Sequence, residues 1–260
     1  MIVWIRSMFI IRRLIIWVAP ILFFVWLALV RFGELFLIPG AAVFLAYLVF
    51  ACFVVCGGRL SKVFAHFLIL PIGFSLAVFF FVLFVINELA FYVAAVFGAM
   101  ALYLVLRQYF VYFFLPLRYQ AYSLESLNFY ITLLSAFFLF SSGFAGVILL
   151  QLNLAIMALI ILPIFALLLY QFFWIHKINI QKSWLYLLPI CLIIIELFVV
   201  LAYLPTSYYV GAFVLAIMAY VMLGLSRLYV QGLLDKKKIW SFLTVGSVVV
   251  VAVLATAKWG

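Results

Sequence analysis

Charge is scarce in this chain. Only 8% of its 260 residues are charged, and five acids face fifteen Lys and Arg. Soluble domains carry about a quarter charged residues and about half apolar ones. Here 73% are hydrophobic, a surface that water would not tolerate without aggregation. Cysteine is nearly missing too. Cys52, Cys56 and Cys191 all lie inside apolar runs, which argues against disulfides, and no paired CxxC offers a metal site. The stretch Cys56-Gly57-Gly58-Arg59-Leu60-Ser61-Lys62 lacks the spacing of a phosphate-binding loop. HExxH, GxSxG and EF-hand patterns do not occur. His66 and His176 stand without acids at ligand spacing. These absences exclude an ATP-driven engine within the chain and predict no cofactor.

What is present is a series of long apolar runs. In lipid a backbone must satisfy its own hydrogen bonds, which leaves helices or a closed barrel. Barrel strands are short and alternate in polarity, whereas runs such as Leu152 to Phe173 are continuous. The sequence therefore predicts an all-α fold, a polytopic integral membrane helical bundle. Its nine transmembrane helices are placed at 14–30, 35–56, 64–86, 89–106, 127–150, 152–173, 184–204, 209–225 and 239–257. No hydrophilic domain separates them, so residues 1–260 read as one transmembrane domain. The first run follows Arg6, Arg12 and Arg13 with no small-residue cleavage site before Arg31, and is expected to be an uncleaved anchor.

The basic residues crowd into every second gap between runs. Thirteen of the fifteen fall on one side, and only Arg31 and Lys258 fall on the other. Short loops rich in Lys and Arg stay cytoplasmic, so the N-terminus is expected in the cytoplasm and the C-terminus outside, in the cytoplasmic membrane. The net charge of +10 is distributed around spans instead of along one stripe. Anionic lipid headgroups, not nucleic acid, are the partners this implies.

The stretch 107–126 is unusual. Seven Phe and Tyr between 109 and 122 crowd it, with Arg107 and Arg118 among them. Aromatics with flanking arginines favour the headgroup level. The expectation is an interfacial aromatic segment, either a helix lying on the cytoplasmic surface or the fourth span running past the membrane face.

Glu196 breaks the apolar rule most sharply, near the middle of the seventh span. A charged carboxylate there costs several kcal/mol unless it is paired or protonated. Pro189 lies seven residues earlier, about two turns away on the same face, where it frees a carbonyl and can kink the helix. Ser141 and Ser142, near mid-depth of the fifth span, are candidate donors to the acid, because hydroxyls and small residues let helices approach and bond. Ser142 with Gly146, Ala94 with Gly98 and Ala212 with Ala216 form small-xxx-small pairs suited to helix packing. Pro71, Pro163 and Pro189 each sit in a Leu-Pro-Ile setting, a faint hint of the repeats seen in transporters.

Three functional classes fit these features. One is a small transporter or permease with an intramembrane acidic site at Glu196. A second is a non-catalytic membrane subunit or scaffold that packs on a membrane-protein partner or a second copy of itself. The third, an enzyme acting on a lipid-linked substrate at the outer face, would need Glu34 and Glu88 to converge.

Overall fold

The computed structural model describes residues 2–33, 36–57, 62–178 and 180–257, with side chains for 12–33, 36–57, 63–178 and 184–257. Nine helices are present among the described residues, and no strand. They are α1 (Ile2–Phe32), α2 (Leu37–Val55), α3 (Lys62–Leu83), α4 (Glu88–Phe114), α5 (Ser123–Leu149), α6 (Leu154–Ile175), α7 (Ile180–Ala202), α8 (Tyr208–Val230) and α9 (Lys236–Thr256). All nine are long and apolar enough to cross a membrane. The chain is thus a multi-pass, membrane-type helical protein.

Local chemistry explains the helix starts. Asn87 accepts a bond from the Ala90 amide at 3.0 Å, and Asn153 accepts one from the Ala155 amide at 2.8 Å. These caps satisfy amide groups that the first turn leaves open. Pro20, Pro71, Pro163 and Pro189 lie inside α1, α3, α6 and α7. α4 runs unbroken through Arg107 to Phe114, and a short 3-10 helix, Pro116–Arg118, follows it. Its 27 residues span about 40 Å at 1.5 Å each, against about 30 Å of hydrocarbon.

The chain forms two compact units, Met1–Ile131 and Thr132–Gly260, with the boundary inside α5. In the first unit α1 packs mainly on α4 and α2, and α4 also on α3. Two contacts fix α1 and α4 as antiparallel. At one end the Arg31 guanidinium donates to the Ile86 carbonyl at 3.2 Å and lies over the Phe91 ring. At the other end Arg12 lies 4.1 Å over the Phe114 ring. Between them Trp26 is stacked between Phe44, at 5.2 Å, and Phe79, at 4.6 Å. Gly40 makes that possible, because a Cβ there would run into the Trp26 indole.

The second unit is built around four phenylalanines. Phe140 and Phe144 of α5 meet Phe165 of α6 and Phe198 of α7, with ring centroids between 4.5 and 6.5 Å apart. Glycines let the backbones close in: Gly143 faces Ile161 and Phe198, and Gly211 of α8 faces Phe144. α9 packs on α8 and is otherwise largely exposed.

Candidate functional site

The side chains with the most chemistry converge in the first unit, at the end where Arg12 meets Phe114. A cavity of about 890 Å³ opens there, within the roughly 300–1,000 Å³ common for small-ligand sites. Three arginines line it from three elements: Arg13 of α1, Arg107 of α4 and Arg118 of the 3-10 helix. Helix geometry sets the pattern. Arg13 and Trp17 are one turn apart on α1, as are Tyr103 and Arg107 on α4, and antiparallel packing lays one pair beside the other. The Trp17 and Tyr103 rings are 4.4 Å apart. Pro116 ends α4 and turns the chain so that Arg118 points back to the same space.

Two of the three guanidiniums, those of Arg107 and Arg118, lack a counter-charge among the described residues. No acid among those residues lines the cavity. Neither the Arg107 nor the Arg118 side chain has a hydrogen-bond or ion-pair partner among the described residues. Glu125, the acid of the neighbouring first turn of α5, is instead engaged by the Tyr119 hydroxyl, which donates to its Oε2 at 3.1 Å. Burial, followed by the charge of Glu125, raises the Tyr119 phenol above its ordinary value. Gln108 donates to the Ser123 hydroxyl, tying α4 to the start of α5, and Gln120 adds a further amide to the wall. A set of guanidiniums with neutral donors between them matches a multiply charged oxyanion, since the planar fork of Arg pairs with phosphate or carboxylate through two bonds at once.

The intramembrane candidates lie in the second unit, and α7 separates them. Phe198 is the residue that α7 presents to α5, fully buried and 4.5 Å from Phe144. Glu196, two positions away, is turned by about 200° around the helix axis. It is exposed, between Leu192 and Val200. Pro189 shares that exposed face. Ser141 and Ser142 are buried on α5 and make no bond to Glu196. Ser142 donates to the Phe138 carbonyl of its own helix at 2.6 Å, and the Ser141 hydroxyl has no partner among the described residues. The structure therefore brings Pro189 and Glu196 to one face and leaves the serines elsewhere.

Other residues fall as follows. His176 is buried at the end of α6, where its Nδ1 donates to the Phe172 carbonyl at 2.8 Å. Among the described residues no group of three His, Cys, Asp or Glu is placed to hold a metal. Glu34 lies outside the described residues, and Glu88 is exposed at the first position of α4, where an acid suits the helix N-terminus.

Sequence reasoning takes Arg13, Arg107 and Arg118 as orientation and headgroup-level charges and passes over Gln108 and Gln120. The available signal was the polar pairing Arg107-Gln108 and Arg118 with Gln120 in an otherwise aromatic stretch. It also missed a row along α5. Asn128, Thr132, Ser135 and Ser142 recur at spacings of one and two turns, and all are buried.

None of the curated proteins and none of the solved structures compared with the chain matches it. A family model described as "Protein of unknown function (DUF5656)" matches residues 41–256, a stretch that takes in Arg107 and Arg118. That match covers well over half of the sequence, and the chain belongs to this family.

Proposed function

We propose that this multi-pass protein of the cytoplasmic membrane binds an oxyanion at its cytoplasmic face, in the cavity between α1, α4 and the start of α5. The observation that carries the reading is the meeting of Arg13, Arg107 and Arg118 in one cavity that no acid among the described residues lines. Like charges held together in a partly enclosed space repel one another and attract a counter-ion strongly. The Lys and Arg bias along the chain supports the cytoplasmic placement.

The test is thermal unfolding of the detergent-purified protein with inorganic phosphate or pyrophosphate, against chloride at matched ionic strength. A specific ligand at a hundred times its Kd stabilises by about 2.7 kcal/mol. The double variant Arg107→Gln/Arg118→Gln should unfold at the wild-type temperature without ligand and lose the response to it. Equal stabilisation by chloride, or an unchanged response in the variant, would count against anion binding.

A second reading, a membrane subunit, rests on a separate observation. Glu196 sits on an exposed apolar face of α7 with no hydrogen-bond partner among the described residues. A partner helix bearing a donor at that depth would relieve the several kcal/mol an unpaired acid costs in lipid. Glu196→Leu should then abolish co-purification of that partner. Ion-coupled transport through Glu196 has less support. The acid lines neither the basic cavity nor the smaller apolar hollow beside Tyr186 and Tyr229.

A further inference from the structure

We infer that the oxyanion is the terminal phosphate of a lipid, a phosphomonoester headgroup of the phosphatidic acid kind, whose acyl chain lies along the seam between α1 and α4. This inference rests on the anion reading above. It comes from the direction in which the cavity wall changes character. Along α1 the order is Arg13, Trp17, Ile21, and along α4, read from its C-terminal end, it is Arg107, Tyr103, Met100. Both helices therefore pass from cation to aromatic ring to aliphatic side chain in the same direction in space, because they are antiparallel. Trp17 is 58% exposed, Ile21 58% and Met100 62%, so the seam is open to its surroundings. Leu104, 44% exposed, lines the cavity beside Trp17.

That sequence of groups is the profile of half a bilayer. Cations belong with phosphates, Trp and Tyr at the headgroup level, and aliphatic side chains with acyl chains. A site for a soluble anion has no use for an open apolar seam leading out of it. A lipid enters sideways along such a seam and leaves only its headgroup among the arginines. Charge selects the headgroup class. A phosphodiester carries one negative charge against the two unpaired guanidiniums of Arg107 and Arg118, whereas a phosphomonoester carries about 1.5 to 2 at neutral pH. The monoester thus neutralises more of the cavity and offers the free oxygens that an arginine fork grips.

The experiment reconstitutes the full chain in phosphatidylcholine nanodiscs doped with phosphatidic acid or phosphatidylglycerol of identical chains, and counts retained lipid by native mass spectrometry. Inorganic phosphate and glycerol phosphate serve as soluble competitors. Phosphatidic acid should be retained well above the other two lipids, and neither soluble anion should displace it. Arg107→Gln and Arg118→Gln should each lower retention about fivefold, the size expected for one basic residue near an anionic membrane surface. Ile21→Ala/Met100→Ala, on the seam outside the cavity lining, should weaken lipid retention while leaving the thermal response to soluble phosphate unchanged. Circular dichroism melts of each variant separate these effects from misfolding. Glycerol phosphate binding as tightly as phosphatidic acid, with the Ile21/Met100 variant behaving as wild type, would overturn the lipid proposal and leave anion binding standing. Equal retention of phosphatidylglycerol would overturn the monoester assignment. Failure of every phosphate, soluble or lipid, to bind would sink both readings together.

Discussion

Glu196 and Phe198 stand two residues apart on α7 and face opposite ways, the ring buried against Phe144 and the carboxylate exposed. The two substitutions therefore have different consequences. Phe198→Ala empties a space between α5 and α7 and should cost about 3–5 kcal/mol. Glu196→Leu removes a polar group from an exposed apolar face and should leave the unfolding temperature in detergent unchanged or higher. Thermal melts followed by circular dichroism distinguish the pair. A Glu196→Leu protein that unfolds early would mean that the acid holds helices together within the chain.

The buried row on α5 yields a prediction of the opposite kind. The Asn128 and Thr132 side chains are buried, and their polar atoms have no hydrogen-bond partner among the described residues. A buried polar group left unpaired costs about 1–3 kcal/mol. Thr132→Val keeps the shape and removes the hydroxyl, so the variant should unfold at a higher temperature, and Asn128→Leu should follow it. A lower temperature in both would show that these groups are satisfied in the working protein.

Nine helices were legible from composition because an apolar run about 20 residues long has few other ways to satisfy its backbone. Their ends were less so. Of the two readings for the stretch after Leu106, a separate surface helix or a continuation of the fourth span, the helix takes the second and continues to Phe114, since aromatic residues and a single arginine do not break a helix, and Pro116 does. The facing of Glu196 was not legible at all. Beyond its first turn α7 is apolar on every side apart from Glu196 itself, so no repeat of polar residues marks which face meets a neighbour. The cavity was hidden for a different reason. Arg13 and Arg107 each look like an orientation charge alone, and only the pairing of α1 with α4 puts them together. The polar row on α5 was readable in principle, because Asn128, Thr132, Ser135 and Ser142 repeat at helical spacing.

The Tyr119–Glu125 bond makes a prediction about alkaline pH. The phenol is raised by burial first and by the carboxylate second, so the folded protein holds this proton more tightly than the unfolded chain does. The stabilisation is then complete below the ordinary tyrosine value of about 10. It is lost as pH rises from there through the folded-state value. Phenolate absorbance of wild type minus Tyr119→Phe should show one tyrosine ionising later than a free one. The hydroxyl also keeps Glu125 engaged. Tyr119→Phe therefore frees an acid near the arginine-lined cavity and should weaken phosphate binding at neutral pH, measured by the same thermal response.

The seam between α8 and α9 is reciprocal, and its test is a rescue. A Cβ at Gly246 of α9 would lie 2.6 Å from a Val221 methyl of α8, and one at Gly224 of α8 would strike the Phe242 ring of α9. Each helix thus offers a gap to a side chain of the other. In lipid, where the surroundings are as apolar as the contact, such close fit is what holds two helices together. Gly246→Ala should cost about 1–3 kcal/mol through overpacking and loosen α9, which packs on α8 and is otherwise mostly exposed. Loosening would appear as faster protease cleavage in the link 231–235 between the two helices. Val221→Ala removes the methyl in question, so the double variant should recover most of the loss, while Val221→Ala paired with Gly224→Ala should not. A cycle in which both pairs behave additively would show that α9 is held by contacts other than these interlocking glycines.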